Sequence, residues 1–141
     1  MLVPGIDGQK MSKSYGNTIP IFADDDKMKK IVMSIVTDSA GINDSKDKDT
    51  PLYKLYSLFL DDEEKKILSD RYDTPGLRYG DIKKELFEKI CEHFSPYKKR
   101  REYLIDNIDE VYHILSLGIE RAANVASEYI DKVRKSMGID F

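Results

Sequence analysis

Cysteine is nearly absent. Cys91 is the only one in 141 residues, so no internal disulfide can form and a reducing, cytoplasmic setting is expected. Histidine is almost as scarce, and neither His93 nor His113 is spaced to join Cys91 in a zinc site, so no metal site is expected. Long apolar runs are missing too. None approaches the roughly 18 residues of a membrane span, and the opening Met1-Leu2-Val3-Pro4-Gly5 lacks the cationic and apolar regions of a secretory signal. Nor is there an excess of basic charge. A formal net charge of −3 excludes nucleic-acid binding through bulk charge, so any basic footprint must be local. No strand-like alternation and no internal repeat occur, which leaves an all-α body.

Helical periodicity is what the chain does contain, and it begins after a loop. Residues 1–23 are rich in Gly, Pro and Ser and end in the apolar patch Ile19, Ile21 and Phe22. Asp24, Asp25 and Asp26 then offer an N-cap and negative charge to a helix start. Met28, Ile31, Val32, Ile35 and Val36 give that helix one apolar face, closed by Thr37-Asp38-Ser39-Ala40-Gly41. From Asn43 to Thr50 no apolar side chain appears, and the stretch reads as a solvated connection. Thr50-Pro51 supplies a cap and a first-turn proline to a helix carrying Leu52, Leu55, Tyr56, Phe59 and Leu60. Asp61 to Glu64 opens another, with Ile67, Leu68 and Tyr72, which Thr74-Pro75-Gly76 breaks. From Asp81 the positions Ile82, Leu86, Phe87, Ile90 and Phe94 mark a long helix that Pro96 should kink or interrupt. Ile108, Val111, Ile114 and Leu115 form a shorter segment up to Gly118. The last helix carries Ala122, Ala123, Val125, Ala126, Tyr129, Ile130, Val133 and Met137, with Gly138 as its C-cap. The tyrosines and this Ala-rich helix read as core packing, and Cys91 as buried and structural.

The chemistry lies before the helices, in Lys10-Met11-Ser12-Lys13-Ser14 and the Tyr15-Gly16-Asn17 that follows. Two lysines three positions apart, each near a serine hydroxyl, make a cationic loop suited to a triphosphate. A lysine ammonium is a compact charge on a flexible stem, able to follow charge that moves during a reaction. Gly5, Gly8 and Gly16 permit close backbone approach. The run resembles the KMSKS loop of class I aminoacyl-tRNA synthetases at all five positions. That resemblance implies a loop that closes over ATP, with Lys10, Met11, Ser12, Lys13 and Ser14 binding the nucleotide. Lys13, supported by Lys10, would stabilise the transition state of amino-acid activation, and magnesium would share the pyrophosphate charge.

Further landmarks are similar to bacterial-type tryptophanyl-tRNA synthetases. They are Val36-Thr37-Asp38-Ser39, Tyr79-Gly80-Asp81 with Lys83 and Leu86, Pro96 ahead of a basic run, and Gly118-x-x-Arg121-Ala122 with Ala126. The resemblance implies tryptophan, ATP and tRNA(Trp) as partners and a homodimeric full-length enzyme. It also implies a nucleotide-binding fold upstream of the lysine loop, with a His-x-Gly-His motif that neither histidine here supplies. The chain is therefore expected to be the C-terminal part of a longer enzyme, inactive alone, its first methionine placed by truncation and Met1-Leu2-Val3 the end of a strand. Residues 1–23 would be the loop and tail of the catalytic domain, and 24–141 a helical domain of the anticodon-binding type. The rival readings are a tyrosyl-tRNA synthetase and a stand-alone helical module that binds RNA or protein. Within the helical part, Lys98, Lys99, Arg100 and Arg101, flanked by Tyr97 and Tyr103, form the densest basic cluster. Interleaved cations and aromatics suit tRNA phosphates and bases, and a solvated helix face suits them equally.

Overall fold

In the computed structural model, which describes residues 3–139, five helices follow one loop: α1 (Asp25–Met33), α2 (Pro51–Ser57), α3 (Asp62–Asp73), α4 (Tyr79–Asp106) and α5 (Ile108–Met137). No strand forms among the described residues, where one isolated antiparallel bridge pairs Pro4 with Lys10. The strand end expected at Met1-Leu2-Val3 lies mostly outside the described residues. Contacts divide the chain into two compact units, one up to Pro96 and one from Tyr97.

The first unit holds the core. Met28, Val32 and Ile35 meet Leu52, Leu55, Tyr56 and Leu60, and Leu68 and Tyr72 of α3 and Ile82, Leu86 and Ile90 of α4 complete the cluster. Each large apolar side chain so buried favours the folded state by about 1.5–3 kcal/mol relative to exposure. The helix starts follow local chemistry. Thr50 Oγ1 accepts from the Tyr53 amide at 3.4 Å with Pro51 in the first turn. Asp61 and Glu64 form a reciprocal capping box, at 2.8 and 3.1 Å, that satisfies two orphan donors of α3. Arg71 of α3 grips Glu85 of α4 with two bonds of 2.7 Å, and the Tyr56 hydroxyl donates to the same carboxylate at 3.1 Å. Burial and that carboxylate push the Tyr56 phenol up to about 12.

Several expectations change. The Asp24 side chain makes no cap bond, and Asp25 and Asp26 contribute only first-turn charge. α1 stops at Met33, short of Val36, because Ser34 satisfies its last carbonyls. The Ser34 amide reaches Lys30 and Ile31 at 3.1 and 3.0 Å, and its hydroxyl donates to Ile31 at 2.7 Å. Lys83 Nζ closes the same end by donating to the Met33 carbonyl at 3.1 Å. The supposedly solvated 43–50 connection buries Lys46 and Thr50. Cys91 is half-buried rather than enclosed.

The helix interruptions expected at Pro96 and Gly118 do not occur. α4 runs through Pro96, forgoing the one bond that the proline nitrogen would give to the Glu92 carbonyl. The strong helix formers that follow, from Lys98 to Glu102, keep the chain helical past it. α5 likewise runs through Gly118 for 30 residues and ends on Gly138 in the left-handed conformation, where φ is 68°. No residue of α5 is buried, so Tyr129 and the alanine-rich turns are not core. No described helix is long and apolar enough to cross a membrane.

Candidate functional site

The lysine loop is built on a buried amide. Asn17 is 2% exposed. Its Oδ1 accepts from the Ser12 amide at 2.8 Å, while Nδ2 donates to Asp7 Oδ1 at 2.9 Å and to the Lys10 carbonyl at 3.1 Å. The Asn17 carbonyl accepts from the Ile6 amide at 3.1 Å, and the Ile6 carbonyl in turn accepts from the Val36 amide at 2.8 Å. Loop and α1 segment are thereby tied together. On its other edge, the Met11 amide donates to the Val3 carbonyl at 3.0 Å. Ile6, Met11 and Ile19 pack against the hydrophobic core, so Met11 anchors the five-residue run at its second position.

Electrostatics follow from these bonds. The hydrogen bond from Asn17 holds the Asp7 carboxyl below its ordinary range, with help from the Gln9 amide at 3.0 Å. Asp7 is thus an anion committed to the loop's own backbone. Ser12 and Ser14 share a bond of 2.7 Å between their hydroxyls, and the Ser14 amide donates to Ser12 Oγ at 3.3 Å. The Gly16 amide closes the turn on the Lys13 carbonyl at 3.2 Å, with Gly16 at a φ of 66° that favours glycine. Lys10 and Lys13 are exposed, and among the described residues neither ammonium meets a hydrogen-bond or ion-pair partner. The arrangement offers two uncommitted cations and two small hydroxyls on a rigid frame, a surface suited to a polyanion.

A second network fixes the segment after α1. Tyr79 donates to Asp38 Oδ1 at 2.7 Å, and the amides of Ala40 and Asp47 donate to the same carboxylate at 2.9 and 3.3 Å. Burial works to raise the Asp38 carboxyl, but these donors outweigh it and hold it low. The buried Lys46 gives its ammonium to the Ala40 and Gly41 carbonyls and lies 5.3 Å from the Tyr79 ring centroid. These contacts hold the 43–50 connection, which has no apolar side chain, against residues 38–41 and Tyr79.

The basic cluster lies in the last turns of α4. Four consecutive helical residues point about 100° apart, so Lys98, Lys99, Arg100 and Arg101 cannot all face one surface. Arg100 is already engaged, 2.5 Å from Glu110 and 4.8 Å from the Tyr103 ring centroid. That bond holds the Glu110 carboxyl below its ordinary range, with the Tyr103 hydroxyl contributing.

A lysine loop followed by a helical body is the order of elements that the sequence likeness to class I synthetases leads one to expect. Residues 1–95 match the tRNA synthetases class I (W and Y), and the chain belongs to that family. It is 44% identical to a tryptophan–tRNA ligase of Rhodopirellula baltica, over 97% of this chain and 43% of that protein. Against a tryptophan–tRNA ligase of Fusobacterium nucleatum it is 41% identical, covering 98% of this chain and 42% of the relative. The crystal structure of tryptophanyl-tRNA synthetase from Campylobacter jejuni complexed with ADP and tryptophan superposes with a TM-score of 0.88. It is 37% identical, over 98% of this chain and 44% of that one. The chain thus spans less than half the length of the relatives it matches.

Asn17 and Asp7 are the site residues that motif reading passed over. Asn17 was legible as a neighbour of the loop but not as its scaffold. An asparagine beside a glycine in a loop signals a side-chain-to-backbone turn, and that signal was available.

Proposed function

We propose that this chain supplies the lysine loop and helical part of a cytoplasmic tryptophan–tRNA ligase, which activates tryptophan with ATP and transfers it to tRNA(Trp). The observation that carries the reading is the KMSKS-type loop, held in a fixed turn with both lysines uncommitted. Tryptophan is favoured over tyrosine because the relatives just described are tryptophan–tRNA ligases. In this reading residues 1–23 belong with the catalytic domain and 24–141 form the helical tRNA-binding part.

During activation the tryptophan carboxylate attacks the ATP α-phosphorus and pyrophosphate leaves. Charge grows on the leaving group, so Lys13 and Lys10 stabilise the transition state more than bound ATP. Ser12 and Ser14 exchange their mutual hydrogen bond for phosphate oxygens. Met11 stays in the core as the pivot. No group of three or more acidic, histidine or cysteine side chains gathers among the described residues, so magnesium would enter on the triphosphate rather than on a cage of this chain. In the helical part, Lys98, Lys99, Arg100 and Arg101 are the proposed contacts to tRNA phosphates. Arg100 would first have to leave Glu110. The full-length enzyme is proposed to act as a homodimer.

Tryptophan-dependent pyrophosphate–ATP exchange by a full-length enzyme containing this chain is the test, with tyrosine in parallel. Exchange with tryptophan alone is expected, and the isolated 141-residue chain should be silent. Exchange driven by tyrosine, or turnover by the isolated chain, would refute the proposal.

A further inference from the structure

We infer that Asn17 is a positioning residue for the two lysines of the loop. Its catalytic consequence rests on the functional reading above; its geometric basis does not. The Asn17 side chain uses both of its N–H groups and its carbonyl oxygen, and all three bonds end on the loop or on Asp7 beside it. The amide cannot be turned over. Its nitrogen faces two acceptors, the Asp7 carboxylate and the Lys10 carbonyl, and its oxygen faces one donor, the Ser12 amide. Flipping it would oppose like groups at every contact.

The placement of these bonds gives the residue its role. Lys10 O and Ser12 N lie on either side of Met11, so one side-chain amide grips the backbone there as a neighbouring strand would. Met11 N is held from the opposite edge by Val3 O. Two residues on, Lys13 O accepts from Gly16 N, directly before Asn17 in sequence. Both lysines therefore leave a backbone that this amide grips at Lys10 and Ser12, while among the described residues their own ammonium groups make no hydrogen bond or ion pair that could hold them.

Gly5 belongs to the same device. A Cβ built there falls inside the Asn17 amide. Gly5 itself donates to the Gln9 carbonyl at 2.6 Å, and Gly8 donates back to the Gly5 carbonyl at 3.1 Å. Only a residue without a side chain leaves room for Asn17 beneath the loop. Burial of a polar amide at such a place is unfavourable unless every bond is made, which is the condition met here. The arrangement sets the loop's shape before any nucleotide arrives, and preset geometry matters because a misplacement of about 1 Å can cost 10²-fold in rate.

Two measurements test the assignment, with Asn17→Ala and with Asn17→Asp, which keeps the shape but sets a carboxylate against Asp7. In the 141-residue chain carrying Asn17→Ala, which removes the acceptor, hydrogen exchange at the Ser12 amide should accelerate about tenfold or more. Amides of Leu86 and Ile90 should keep their protection, which separates loop release from unfolding. In the full-length enzyme, kcat for tryptophan-dependent pyrophosphate exchange should fall about 10²-fold while KM for ATP stays within about threefold. Unchanged Ser12 exchange, or a loss confined to KM, overturns the assignment. If the unsubstituted full-length enzyme shows no exchange activity, the functional reading fails instead, and Ser12 protection still decides whether Asn17 holds the loop.

Discussion

Replacing Glu85 with glutamine should destabilise the first unit by about 1–2 kcal/mol at neutral pH. Two Arg71 bonds of 2.7 Å and one from Tyr56 at 3.1 Å converge on this carboxylate. Charge-assisted bonds contribute about 1.5–3 kcal/mol. Arg71 and Glu85 remain 38% and 34% exposed, and screening by solvent lowers that range. Glutamine keeps one acceptor but turns an N–H toward the second guanidinium donor. For a unit of this size the melting temperature should drop by roughly 4–8 °C per kcal/mol. The near-ultraviolet circular dichroism of the buried tyrosines Tyr56 and Tyr72 would report it. Acid gives a sharper test. Hydrogen bonding from Arg71 holds the Glu85 carboxyl below its ordinary range, against the opposing effect of burial. A depressed folded value means the stabilisation is fully present above the unfolded value of about 4.3 and is lost as pH falls through the folded one. The gap between the native chain and Glu85→Gln should therefore be flat from about pH 6 to 8 and narrow below about pH 4. A gap that widens on acidification, or one under about 0.5 kcal/mol at pH 7, would refute the reasoning.

Lys13→Ala in the full-length enzyme should slow activation by roughly 10²–10³-fold while leaving the chain's stability within about 0.5 kcal/mol, since the ammonium has no partner to lose among the described residues; single-turnover kinetics and thermal unfolding check the two halves. Alanine at Lys98, Lys99, Arg100 and Arg101 together should reduce the slope of log tRNA affinity against log salt by no more than about two contacts' worth, about 1.4–1.8, because the four side chains diverge around the helix. An unaltered slope would leave the cluster a solvated face, and adenylate formation should be unaffected either way. Gly118→Ala should stabilise α5 by about 0.5–1 kcal/mol, as nothing lies within 4 Å of the added Cβ; far-ultraviolet circular dichroism during melting would show it.

What could be read from the residues was what neighbours in sequence decide. Thr50-Pro51 and the Asp61–Glu64 pair specify their helix starts through groups three positions apart, and both starts form as expected. Apolar spacing in α3 and early α4 likewise identified Leu68, Tyr72, Ile82, Leu86 and Ile90. Misreadings arose where distant groups intervene. Lys46 looks solvated among Asp44, Ser45 and Asp47 until Tyr79 and the Ala40 and Gly41 carbonyls enclose it. Ile35 keeps its core place although α1 has already ended, because the Val36 amide has turned to Ile6. Pro96 and Gly118 read as breakers in sequence yet interrupt neither helix. A missing bond or a flexible residue costs a few kcal/mol at most, and long flanking runs of helix formers absorb it. In the loop, the motif marked the lysines, but the fold was needed to show what supports them.

Gly5 and Asn17 together carry a consequence for sequence change. Neither would touch a substrate, yet neither can vary alone. Any side chain at position 5 must first evict the Asn17 amide, and loss of that amide removes the reason for a glycine there. Mutational paths through this loop should therefore be ordered, with position 17 changing before position 5. Two residues with no reactive group would then restrict how far a lineage can wander while its lysines stay in use.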